Sequence, residues 1–199
     1  MGLFGLFHRK SQQERIEIQD IPLALLNTFV EYQQRLYNEL SQTKIANDSL
    51  QDEIAVFLYS IVDISAKVSH VNHTKASHLI YEHSIKSIGS MRGSSFGVFY
   101  RTKLYLEIFL EPQKAKGLWM ANNQKLTNPF AACMVAFGDV LTNPQCVDDM
   151  ESYYTTFAIN LYDFFDAMDF QTKFLNAFET YQQYITRVTN LIEKMDKLG

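Results

Sequence analysis

Residues 96–110 read Phe-Gly-Val-Phe-Tyr-Arg-Thr-Lys-Leu-Tyr-Leu-Glu-Ile-Phe-Leu, and the fold class turns on whether they form a strand or a helix. Every even position holds Phe, Val, Tyr, Thr, Leu or Ile, while Arg101, Lys103 and Glu107 sit at odd ones, which is the alternation of a strand. A strand of this length would be unusually long and would need a partner. Read as a helix, the same stretch puts Lys103, Glu107 and Glu111 on one face at the spacing of favourable ion pairs. The helix is the expectation, with an α+β alternative in which residues 15–21, carrying Ile16 and Ile18, pair with 96–110 in a small sheet.

Upstream, Gly89, Ser90, Gly93, Ser94, Ser95 and Gly97 form a breaker that ends a helical pattern over residues 74–88. Before it, a helix is expected from Ser49 to about Val71, with Ser49 and Asp52 as a capping box and Leu50, Ile54, Phe57, Leu58, Ile61 and Val68 on one face. Pro22 marks the start of a first helix, which carries Leu25, Phe29, Tyr32, Leu36 and Leu40 and runs to about Thr43. Downstream, Thr-Asn-Pro occurs at 127–129 and again at 142–144, each time placing Asn at an N-cap and Pro at the first helical position. These predict helices over 130–141 and 145–168. A last amphipathic helix is read from Phe170, Phe174, Phe178 or Ala177, Tyr181, Ile185, Val188, Ile192 and Met195. Its seam suits burial in a bundle, and equally a homo-oligomer contact through that helix. The fold expected is mainly α, a single bundle of about six to seven helices over residues 14–199, with residues 1–13 as a short apolar and basic tail.

Size and composition agree with one packed domain. The chain has 199 residues, 47% of them hydrophobic, with only four prolines and eight glycines, so little of it reads as linker. Fifteen Phe and eleven Tyr supply large buried areas with some polar tips. A net charge of −4 argues against nucleic acid as a partner. Two cysteines, Cys133 and Cys146, are too few for a disulfide scaffold and fit a reducing cytoplasm. No apolar stretch reaches the roughly 20 residues of a membrane span, and the apolar residues at the N-terminus precede the basic ones, unlike a signal peptide.

The charges are segregated. Residues 86–125 hold seven Lys or Arg against two Glu, and residues 126–172 hold seven acids with no Lys, Arg or His. The second segment is also aromatic. Asp148, Asp149, Glu151, Tyr153, Tyr154, Phe157, Tyr162, Asp163, Phe165 and Asp166 are read as a surface for a protein partner of basic character. The leading expectation is thus a non-enzymatic interaction module, of adaptor or inhibitor type, without cofactor. One alternative is a peripheral membrane contact through Leu3, Phe4, Leu6 and Phe7 beside His8, Arg9 and Lys10. Another is a bundle enzyme or ligand binder whose site gathers His70, His73 and His78 with acids.

Other motifs fail on context. Gly93-Ser94-Ser95-Phe96-Gly97 matches a nucleophile elbow, but no histidine follows it in the chain and no buried parallel strand precedes it. The acids at 148–151 lack the spacing of a magnesium-diphosphate helix because position 152 is Ser. Leu6 stands where a myristoylation pattern needs Ser or Thr.

Overall fold

The computed structural model describes residues 20–93, 96–111, 129–149, 169–170, 172–173 and 178–197. Among them the regular structure is helical, without a strand: α1 Ile21–Leu40, α2 Leu50–Ser69, α3 Thr74–Ile80, α4 Lys86–Arg92, α5 Val98–Leu110, α6 Pro129–Thr142 and α7 Phe178–Asp196. A π-helical turn, Tyr81–Ile85, joins α3 to α4, and a 3-10 turn, Pro144–Val147, follows α6. The mainly-α bundle is therefore the fold, and 96–110 is helical. Residues 15–19 of the alternative sheet lie outside the described residues.

The reason residues 98–110 coil is visible in what they bury. Arg101, Thr102, Leu104, Tyr105 and Ile108 face inward, a helical set that cuts across the even-odd alternation. Arg101 and Glu53 of α2 are each 1% exposed at the side chain and bond through Nε and Oε2 at 2.7 Å. Tyr105 donates its hydroxyl to the other Glu53 oxygen at 2.6 Å, and Arg101 Nη2 reaches the Pro144 carbonyl at 3.4 Å. The guanidinium carbon lies 4.2 Å from the centre of the Phe96 ring. Burial pushes the Glu53 carboxyl upward in pKa, opposed by the charge of Arg101 and by the two hydrogen bonds.

α2 is the central helix. Leu50, Ile54, Val56, Phe57, Leu58, Ile61 and Val62 are buried around it, too wide an arc for a one-faced amphipathic helix. α1 and α7 pack on each other and on α2, while α5 and α6 do the same. The α1 stripe Leu25, Phe29, Tyr32, Leu36 and Leu40 is buried as the spacing predicts. α7 buries Tyr184, Val188, Leu191, Ile192 and Met195, with Ile185 partly covered. Tyr184 enters although it lies off the expected seam, because its hydroxyl donates to the Leu58 carbonyl at 3.1 Å and its ring meets Tyr32 at 5.2 Å. The described part of the seam is thus packed within the molecule.

Several local expectations are corrected. The capping box at Ser49 does not form, and Ser49 keeps a helical backbone. Instead the Ser49 amide donates to Asn47 Oδ1 at 2.9 Å, while Asp52 receives Arg92 Nε at 2.7 Å. α1 stops at Leu40, where Thr43 folds back and donates its hydroxyl to the Leu40 carbonyl. Val68 is 65% exposed because the last turn of α2, residues 67–70, buries no side chain. Gly89 and Ser90 do not break the helix, which runs on to Arg92; a Cβ on Gly89 would stand 3.4 Å from Val98 Cγ2. The break falls at Gly93, whose φ of 73° and ψ of −166° favour glycine, and at Gly97, with φ 42°. The second Thr-Asn-Pro starts only the 3-10 turn: Thr142 still belongs to α6, bonding the Gly138 carbonyl, and the chain bends at Asp148 and Asp149. The rest of the expected 145–168 helix, from residue 150, lies outside the described residues.

Two stability measurements follow. Arg101→Met leaves Glu53 buried without its cation and is expected to cost about 3–5 kcal/mol, read from the urea midpoint. Asn47→Ala removes the Ser49 amide acceptor and the 2.7 Å bond from Nδ2 to the Leu141 carbonyl. It should cost about 1–2 kcal/mol, against about 0.5 kcal/mol or less for Ser49→Ala.

Candidate functional site

The three histidines are set by the corner between α2 and α3. His70 ends α2 in a left-handed conformation, φ 55°, with the Val71 amide bonding back to the Ala66 carbonyl. His73 occupies the N-cap position of α3, its Nε2 3.0 Å from Asp63 Oδ1. The same oxygen accepts the Ser77 hydroxyl at 2.7 Å. His78 stands in the last turn of α3. Among the described residues no group of three or more His, Cys, Asp and Glu side chains is placed to hold a metal ion. Asp63 lies between Ser77 and His73, so the arrangement clamps α3 against α2 and does not place the imidazole as a base on the serine. Near Asp63, Tyr59 has its hydroxyl pKa raised, first by burial and then by the Asp63 charge.

The elbow motif has a helix before it. Gly93 follows α4, and α5 begins after Gly97, so the segment joins two helices; Ser94 and Ser95 lie outside the described residues. Phe96 is buried under Arg101. A shallow polar groove of about 520 Å³ runs between α1 and α7, lined by Tyr32, Gln182, Gln183, Thr186, Arg187 and Asn190. Arg187 reaches Glu31 at 3.0 Å.

Of the acidic, aromatic set, Asp148 and Asp149 are described, and both are exposed just after the 3-10 turn. Glu151, Tyr153, Tyr154, Phe157, Tyr162, Asp163, Phe165 and Asp166 lie outside the described residues, as do Leu3, Phe4, Leu6 and Phe7. The described surface cations of the preceding basic segment are engaged elsewhere. Lys86 pairs with Glu82 at 2.8 Å, Arg92 with Asp52 at 2.7 Å and Lys103 with Glu107 at 3.9 Å. Asp169 pairs with Lys173 at 3.2 Å. Buried Arg101 and Asp139 both act on the Cys146 thiol, so the two charge segments approach each other in the interior. No helix among the described residues is long and apolar enough to cross a membrane.

One surface escaped the sequence reading. Phe99, Lys103 and Leu110 lie on the outer face of α5, with Leu106 beside them partly buried against the core. Phe99 is 71% and Leu110 41% exposed, and Met91 at the end of α4 is 73% exposed. Tyr100 is also exposed, its ring 5.5 Å from that of Phe99. The signal was present in the spacing, but α5 is apolar on nearly every side, and periodicity does not say which face the bundle covers.

The thiols are held protonated. Burial, followed by the Asp139 charge, pushes Cys146 up to about 12, and burial raises Cys133 well above the ordinary thiol range. Thiolate therefore accumulates only far above neutral pH. In the folded protein, iodoacetamide labelling of Cys146 at pH 8 is expected to be about 100-fold slower than in the urea-unfolded chain. Its rate should keep rising through pH 10, where an ordinary thiol has levelled off. Comparison with family models, with curated proteins and with solved structures finds no match, so function must be read from these residues.

Proposed function

We propose that the chain is a non-enzymatic helical protein-interaction module, of adaptor or inhibitor type, whose acidic and aromatic segment receives a partner of basic character. The observation that carries this reading is the pairing of the neighbouring cations. Lys86, Arg92 and Lys103 are held by Glu82, Asp52 and Glu107, all outside the acidic segment. Neutralisation of that segment by these three surface cations is therefore not what their geometry favours. Asp148, at its edge, is exposed, and the aromatic residues that follow it in sequence supply the contact area on which protein interfaces depend. A positive partner surface would gain association rate and orientation from such a segment, with strong dependence on salt.

The test is site-specific photo-crosslinking in the native cell, with the probe at position 148 and a control at exposed Gln34 of α1. A discrete adduct at 148 is expected, absent at 34 and lost in a Glu151→Lys, Asp163→Lys background. Equal background at both positions would overturn the reading.

A further inference from the structure

We draw no further inference here: the strongest candidate, the exposed apolar patch of Phe99, Tyr100 and Leu110 on the outer face of α5 with Met91 at the end of α4, carries none because nothing in the structure shows what covers it.

Discussion

The bundle is organised around one buried ion pair. Arg101 projects from α5 into a space closed by Glu53 of α2, the Phe96 ring from the preceding turn and the Pro144 carbonyl beyond α6. Four separate parts of the chain therefore meet at one guanidinium. Taking both charges out of water is costly, and the attraction offsets that cost only when every donor and lone pair finds a partner. Tyr105 completes the set by occupying the second Glu53 oxygen. The network gives α5 a unique rotation about its axis: an apolar helix could settle in several rotations, but only one lets Arg101 reach Glu53.

That rotation has a consequence for the surface. With Arg101, Leu104, Tyr105 and Ile108 turned inward, Phe99 and Leu110 must face out. The exposed strip is thus the geometric complement of the buried pair. Ordinary cores avoid such strips, since contiguous exposed apolar area invites association.

Much of the fold was legible from local rules. Pro22, the α1 stripe and the start of α6 at Pro129 were all read correctly, because helix starts and apolar periodicity depend on neighbours within a turn. Errors arose where one side chain had two possible partners. Asp52 was assigned to its own helix end and is taken by Arg92, forty residues away in sequence. Asn143 does stand at the N-cap before Pro144, but its side chain makes no capping bond and the turn it starts is the 3-10 turn Pro144–Val147, directly after α6 ends at Thr142. Tyr184 lies off the seam that the spacing marked, yet it is buried, and the Leu58 carbonyl accepts its hydroxyl. Of the candidate site, the sequence marked the acids, aromatics and histidines by composition. The outward face of α5 was not marked.

By itself the sequence determined that this chain folds as helices, where several begin, and that its charge is divided into a basic and an acidic segment. These are properties of composition and of spacing within one or two turns. Only the tertiary structure decided which face of α5 is buried and which cations are already paired. It also brought His73 to Asp63, while His70 closes α2 and His78 stands in the last turn of α3, giving the three histidines separate settings. The physical reason is that burial and ion pairing are settled by partners far along the chain. A pattern such as residues 96–110, apolar on almost every side, acquires an inside and an outside only when Glu53 is there to receive Arg101.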